Sequence, residues 1–233
     1  YAAMVGVKRT LENPISVLED IEGIKNVLSL SKNSGVQRVF YSSSSEVYGE
    51  PFEIPQNEKT TPLNSRLPYA IVKNVGEAFF KSYHQEYGLN YTIFRFFNTY
   101  GPNQSEDFVV PRFLKAALKN EPITIYGDGS QTRSFCYVSD LVDGIYKLMQ
   151  LDKNPDTPIN LGNPNEFTIL ELAKVVIEIT NSKSEILNNP LPLDDPKQRC
   201  PDISLAKSVL HWKPTIELRE GIEKTAEYFK QII

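Results

Sequence analysis

Tyr69 and Lys73 stand four residues apart, a spacing that returns a helix to the same face. Upstream of them, the apolar and β-branched stretch Val36–Tyr41 runs into Ser42-Ser43-Ser44-Ser45-Glu46-Val47-Tyr48-Gly49. A serine hydroxyl at the end of a strand and a Tyr/Lys pair on the next helix can converge on one point. The chemistry open to such a set is removal of a proton from a sugar hydroxyl while the carbon beneath it gives up a hydride.

The spacing alone carries little weight. In a chain with 12 Tyr it arises by chance, and a helix with one exposed Lys and one half-buried Tyr accounts for it equally well. The surroundings add to it. The next apolar run, Tyr91–Phe97, leads into Asn98-Thr99-Tyr100-Gly101-Pro102. Two successive strands then end in polar loops on one side, where open α/β sheets bind ligands.

The elements that must position these residues follow from periodicity and punctuation. Asn13-Pro14 starts a helix that reaches about Asn33, with Gly35 after it. Strand Val36–Tyr41 follows, then a polar loop, Pro51–Pro68, long enough to be functional. Helix Tyr69–Tyr87 stops at Gly88 and strand Tyr91–Phe97 comes next, so strands alternate with helices as in a parallel sheet. Beyond Pro102 the pattern predicts a helix over Phe108–Lys119 and short strands at Ile123–Tyr126 and Arg133–Val138. Gly127-Asp128-Gly129 reads as a hairpin-type turn. Ser139 and Asp140 read as helix caps for Asp140–Gln150, and Ile159–Leu161 as a strand ending at Gly162. Thr168 caps a helix to about Thr180, with Glu171 at capping-box distance. Asn188–Pro201 reads as irregular, and helices close the chain at Ser204–Leu210 and Leu218–Gln231.

Composition bounds the rest. The 233 residues are 40% hydrophobic and 23% charged, with a net charge of −4, so a globular core is available and nothing basic invites nucleic acid. Cys136 and Cys200 match no metal spacing, and free thiols fit a reducing cytoplasm. With His84 and His211 the only histidines, no His-rich metal site is expected. No apolar run has membrane-spanning length and no signal peptide opens the chain. Tyr1–Val7 reads as the end of a buried strand entering a loop, and no Gly-x-Gly-x-x-Gly turn is present. The chain therefore reads as lacking an N-terminal portion.

Taken in order, several landmarks resemble the NAD-dependent epimerase/dehydratase family of extended short-chain dehydrogenase/reductases. They are Ala2-Ala3, Ser43–Gly49, Tyr69-Ala70-Ile71-Val72-Lys73, Arg95–Pro102, Tyr126–Arg133, Tyr137-Val138-Ser139-Asp140 and Asn160-Leu161-Gly162-Asn163. The resemblance implies an α/β fold: a Rossmann-like doubly wound parallel sheet, incomplete at the N-terminus, with a smaller α+β substrate-binding domain. Residues 1–102 and 139–162 would form the NAD-binding part, and 103–138 with 163–233 the nucleotide-sugar part. It implies NAD as cofactor, a UDP-sugar as substrate, and a homodimer. The dimer would use helices Pro14–Asn33 and Tyr69–Tyr87, with apolar area from Ile24, Val27, Leu28, Val75, Phe79 and Phe80.

The resemblance also implies roles. Tyr69 would be the general base, since Lys73 and the nicotinamide charge would lower a phenol pKa of about 10. Ser44 would orient the sugar 4-hydroxyl, with Ser45 and Glu46 beside it. Ala2, Ala3, Ser42, Ser43, Tyr69, Lys73 and Phe96 would contact the cofactor. Asn98, Tyr126, Gln131, Arg133 and Arg199 would contact the substrate. One departure is Asp20, in a helix that usually carries Asn there; an aspartate cannot donate the amide hydrogen bond.

The branch of the family is set by the step after oxidation at C4. Dehydratases carry Thr-Asp-Glu where this chain has Ser44-Ser45-Glu46, and Ser45 is a poor proton donor, so dehydration is disfavoured. UDP-glucuronate decarboxylases carry Ser-Glu at this place and Gly-Ser-Gln-Thr-Arg, as in Gly129–Arg133; Ser134–Gly144 and Asp194–Arg199 are similar to that branch too. Asn103–Glu106 and Leu67–Ala70 are closer to UDP-glucose 4-epimerases. The expected activity is UDP-glucuronate decarboxylation to UDP-xylose, with UDP-sugar 4-epimerisation as the alternative. A third reading is an inactive fragment that only binds a nucleotide sugar or a partner.

Overall fold

The computed structural model describes Thr10, residues 12–190 and residues 198–233. In chain order the elements are α1 (Pro14–Ser31), β1 (Val39–Ser44), a 3₁₀ turn (Ser45–Tyr48), α2 (Pro68–Tyr87), β2 (Tyr91–Phe96) and β3 (Thr99–Tyr100). Then come α3 (Val109–Leu118), β4 (Ile123–Tyr126), β5 (Thr132–Ser134), β6 (Cys136–Tyr137), α4 (Val138–Met149) and β7 (Ile159–Leu161). The chain closes with β8 (Glu166–Thr168), α5 (Ile169–Thr180), β9 (Ile186–Asn189), α6 (Ser204–Leu210) and α7 (Leu218–Ile232).

The central sheet has the order β1-β2-β7 and is parallel throughout. Its strands send alternate side chains to opposite faces. Tyr41 and Ile93 join Leu28 of α1 and Phe80 of α2 on one side. Phe94, with Phe40 packed beside it, joins Leu148 of α4, Leu210 of α6 and Trp212 on the other. Helices on both faces of a parallel sheet make the expected doubly wound α/β fold. Each fully buried Leu, Ile or Phe in these layers contributes about 1.5–3 kcal/mol of burial.

A separate core joins Phe113 and Leu114 of α3, Leu172 and Val176 of α5, and Ile222 and Phe229 of α7. β4 pairs parallel with β9, and β5 antiparallel with β8. Ile203, Ala206, Leu210 and Trp212 lie in the core of the parallel sheet.

Several expectations are corrected. The first strand begins at Val39, not Val36, and includes Ser42, Ser43 and Ser44. Pairing with β2 sets its limits, Val39 opposite Tyr91 and Ser44 opposite Phe96. Gly127-Asp128-Gly129 is not a hairpin, since β4 and β5 each pair elsewhere. Ser139 and Asp140 do not cap α4, which starts at Val138; the Asp140 carboxylate accepts from Thr215 N, Thr215 Oγ1 and Ile216 N instead. Asn188–Pro201 is irregular only in part, because Asn188 and Asn189 end β9. The Thr168–Glu171 capping box is present as expected. The landmarks Ala2-Ala3, the strand end at Tyr1–Val7 and Asp194–Lys197 lie outside the described residues.

Candidate active site

Two element ends meet at the carboxyl edge of the parallel sheet. Ser44 is the last residue of β1 and the N-cap of the 3₁₀ turn, where its Oγ accepts from Glu46 N at 3.2 Å. The turn ends at Gly49, whose φ of 59° favours glycine and whose added Cβ would lie 2.0 Å from the Asn64 carbonyl oxygen. α2 starts with Pro68 in its first turn and stops at Gly88, with φ 67°. This places Tyr69 and Lys73 on the turns of α2 nearest the serines. The Ser44 hydroxyl is near enough to the Tyr69 phenol to act on its pKa. Ser44 thus fills both a cap and a site position.

The electrostatics of Tyr69 follow from its surroundings. Burial pushes the phenol up to about 12; the Ser44 hydroxyl opposes this, Glu46 and Asp20 add to it, and Arg199 opposes it. Lys73 Nζ donates to the Ser42 carbonyl at 2.9 Å and lies 5.6 Å from the centre of the Tyr69 ring. Burial lowers the Lys73 amine, and the Asp20 carboxylate acts against that loss. Asp20, the departure noted in the sequence, therefore acts electrostatically on both members of the pair.

Glu46 is the second centre. Its carboxylate is forked by Arg199, with Nη2 to Oε2 at 2.7 Å and Nη1 in contact with Oε1. Burial raises this carboxyl, but Arg199 and then Arg133 hold it, on balance, below the usual carboxylate range. The fold thus brings Ser44, Glu46, Tyr69, Lys73, Arg133 and Arg199 to one place. Ser45 is buried beside them.

Other expected residues stand differently. Ser43 is turned inward, its Oγ donating to Glu77 Oε1 at 2.6 Å, so its hydroxyl serves the interior. Phe96 is half-buried, its ring 4.8 Å from that of Phe94. Asn98 follows β2 with φ 31°, and its Nδ2 is buried without a hydrogen-bond partner among the described residues, as suits a donor kept for a ligand oxygen. Gln131 Nε2 donates to the Tyr126 carbonyl at 3.0 Å, and the Arg112 guanidinium lies 5.7 Å from the centre of the Tyr126 ring. Arg133 Nη1 donates to the Thr132 carbonyl at 2.7 Å.

The residues present fit a dinucleotide with a ribose and a nicotinamide at the strand ends. Lys73 is a buried ammonium with three donors, one of them directed to Ser42, and it stands beside a phenol on the same helix face. No group of three or more His, Cys, Asp or Glu able to hold a metal ion occurs among the described residues. No helix among them is long and apolar enough to cross a membrane.

Sequence reading missed the pairing of Glu46 with Arg199 and the buried partners of Ser43. The second had a signal: Glu77 follows Tyr69 and Lys73 at the same four-residue spacing.

The model of the NAD dependent epimerase/dehydratase family matches residues 1–162. UDP-glucuronic acid decarboxylase 3 of Arabidopsis thaliana is 44% identical over 225 residues, covering 94% of this chain and 65% of its own length. The chain thus spans just under two thirds of that relative. The structure of UDP-glucose 4-epimerase from Thermotoga maritima, with UDP-glucose, superimposes with a TM-score of 0.94 at 31% identity, covering 100% of this chain and 76% of that one. UDP-glucuronic acid 4-epimerase from Bacillus cereus, with UDP-glucuronic acid and NAD, gives 0.93 at 29%, covering 100% and 74%.

Proposed function

The chain belongs to the NAD-dependent epimerase/dehydratase family, and from that premise we propose that it converts UDP-glucuronate to UDP-xylose with loss of CO2. The observation that carries this reading is the Glu46–Arg199 fork, with the charges of Arg133 on Glu46 and of Glu46 and Arg199 on Tyr69. Two arginines gathered at the carboxylate next to the base suit a sugar that bears its own carboxylate. The 44% identity to a plant UDP-glucuronic acid decarboxylase supports the same choice.

Bound NAD would supply the acceptor, and later the donor, for the hydride at C4. Tyr69 and Lys73 would hold its nicotinamide ribose, with Phe96 near the ring and Ala2 and Ala3 contributing from the N-terminal segment. Tyr69 takes the proton of the 4-hydroxyl through its phenol oxygen, and Ser44 shares that proton. A phenol near 12 is a poor base at neutral pH, so positive charge has to gather at it. Arg199 already acts on it in that direction, and Lys73, with Nζ 5.6 Å from the ring centre, is the second cation at hand. Arg133 holds the substrate carboxylate, and Glu46, itself fixed by Arg199, orients the ring. Once C4 is a ketone, the sugar is a β-keto acid and CO2 leaves readily. Ser45 or Tyr69 then supplies the proton to C5. Asn98, Gln131 and Tyr126 bind the nucleotide diphosphate, Asn98 through its buried amide.

The second reading, UDP-sugar 4-epimerisation, is favoured by the TM-score of 0.94 to a UDP-glucose 4-epimerase. Such an enzyme keeps every carbon and does not need Glu46. Nuclear magnetic resonance of separate incubations with NAD and UDP-glucuronate or UDP-glucose distinguishes the two. A pentose nucleotide from the first sugar supports the proposal; galactose signals from the second with the first unchanged replace it.

A homodimer and a cytoplasmic location complete the reading. Ile15, Leu18, Val27 and Leu30 are exposed on α1 and offer apolar area to a second copy, whereas Leu28 and Phe80, expected on that surface, lie inside the core. The free, buried Cys136 and Cys200 suit a reducing compartment. The division into a cofactor part and a sugar part, with Ile203–Trp212 assigned to the first, is supported by the separate cores.

A further inference from the structure

Below the site runs a buried polar chain that the chemistry above does not use. Glu77 continues the face of α2 that carries Tyr69 and Lys73. Arg95, opposite Ser43 in the sheet, forks it: Nε donates to Oε1 at 2.9 Å and Nη2 to Oε2 at 2.7 Å. Glu77 is 1% exposed and Arg95 2%. Arg95 Nη1 donates to Tyr48 Oη at 2.8 Å, and Tyr48 Oη donates to Asn160 Oδ1 at 2.8 Å. Asn160 then ties two loops, its Nδ2 donating to the carbonyls of Gln56 and Asp202 at 2.9 and 3.3 Å and its backbone N to Glu58 Oε1 at 2.8 Å.

A pair this deep gains little net stability, because desolvation offsets much of its attraction and an apolar pair would serve as well. What the chain of bonds supplies is placement. At one end Ser43 Oγ donates to Glu77, which fixes the strand beside Ser44. In the middle, Tyr48 closes the 3₁₀ turn that carries Glu46. At the far end, Gln56 N donates to the Cys200 carbonyl and Asp202 N to the Gln56 carbonyl, which ties the residues just after Arg199. Among the described residues, Glu46 sits in a four-residue 3₁₀ turn and Arg199 outside any helix or strand, and both segments are tied through Asn160.

We propose that Arg95, Glu77, Tyr48 and Asn160 are positioning residues that fix the Glu46–Arg199 pair relative to Ser44 and Tyr69. The inference rests on the proposed reading only in taking those four residues to act on the sugar. Tyr48 is the point to test, since among the described residues its hydroxyl is the side-chain link between Arg95 and Asn160, which also face each other across β2 and β7. Tyr48→Phe keeps the ring in its buried place and removes the link.

The experiment measures kcat and KM of the intact protein with NAD, for the UDP-sugar that the wild type turns over, together with its melting temperature. Tyr48→Phe should lower kcat about tenfold or more while KM stays within about twofold, because misplacement acts on the reacting geometry and not on nucleotide binding. Ser43→Ala should show the same split to a smaller degree. A lower melting temperature with both constants unchanged overturns the proposal, as does a rise in KM alone. If Tyr48→Phe does not fold, Ser43→Ala and Glu77→Gln decide, and an unchanged kcat in both overturns it. Turnover of UDP-glucose instead of UDP-glucuronate by the wild type defeats the decarboxylase reading, and the kcat of the variants then reports the placement of Ser44 and Tyr69 alone.

Discussion

Glu46 and Arg199, 153 positions apart, meet as a two-point fork at the edge of the parallel sheet, with Nη2 and Oε2 2.7 Å apart. The arginine side chain is 7% exposed and the glutamate 25%, so the contact is only partly screened by water. It joins the turn after β1 to the loop before α6. Its strength should be visible in stability. Arg199→Met should cost about 2–3 kcal/mol, since the glutamate is left part-buried without its fork. Urea denaturation of the single and double variants with Glu46→Gln checks this. A double-variant cost equal to the sum of the single costs would show that the two side chains are not coupled.

The same pair predicts a pH dependence. Arg199 and Arg133 hold the Glu46 carboxyl, on balance, below its ordinary value against the opposing effect of burial. A carboxyl depressed in the folded state contributes stability above its unfolded value, about 4.3, and that contribution is lost as pH falls through the folded value. The melting-temperature advantage of wild type over Glu46→Gln should be full at pH 7 and shrink below about pH 4. An advantage that stays constant down to pH 3 contradicts the assignment.

Gly76 gives a test of packing under the site. Helix propensity alone favours Gly76→Ala by about 1 kcal/mol. An added Cβ, however, would lie 2.0 Å from the Tyr41 hydroxyl oxygen and 2.9 Å from a carbon of its ring. Tyr41 is buried and stacked on Phe80 at 4.7 Å, so it has little room to yield. The steric effect should win and Gly76→Ala should destabilise by about 1–3 kcal/mol in chemical denaturation. A stabilised variant would mean that α2 and β1 are less closely packed.

Tyr69→Phe keeps the ring and removes the proton acceptor. The kcat of the intact protein should fall at least about 100-fold, with the circular dichroism spectrum unchanged. Turnover within about threefold of wild type would remove Tyr69 from the base role.

The sequence revealed most where the signal is local. The Tyr69–Lys73 spacing, the stop at Gly88 and the Thr168–Glu171 box depend on neighbours a few residues away and are found in place, while α1 ends at Ser31, before the expected stop at Gly35. Val36 misled because an apolar β-branched residue looks like strand, while the true start is fixed by pairing with Tyr91. Strand β8, with three residues, and β9, with four, are too short to carry a period. Asp140 looked like a cap, but its carboxylate is taken by Thr215 and Ile216 from a distant segment. The Glu46–Arg199 fork was out of reach for the same reason. Both residues were candidates for the site, yet only the tertiary fold says that they face each other.

The central claim is that the sugar loses its carboxylate at this site. The most direct measurement uses the intact protein with NAD and UDP-glucuronate labelled with carbon-13 at C6. The account predicts labelled CO2 in step with unlabelled UDP-xylose, and neither product from Tyr69→Phe. Retention of the label in a C4-epimerised uronate, with no CO2, would contradict it.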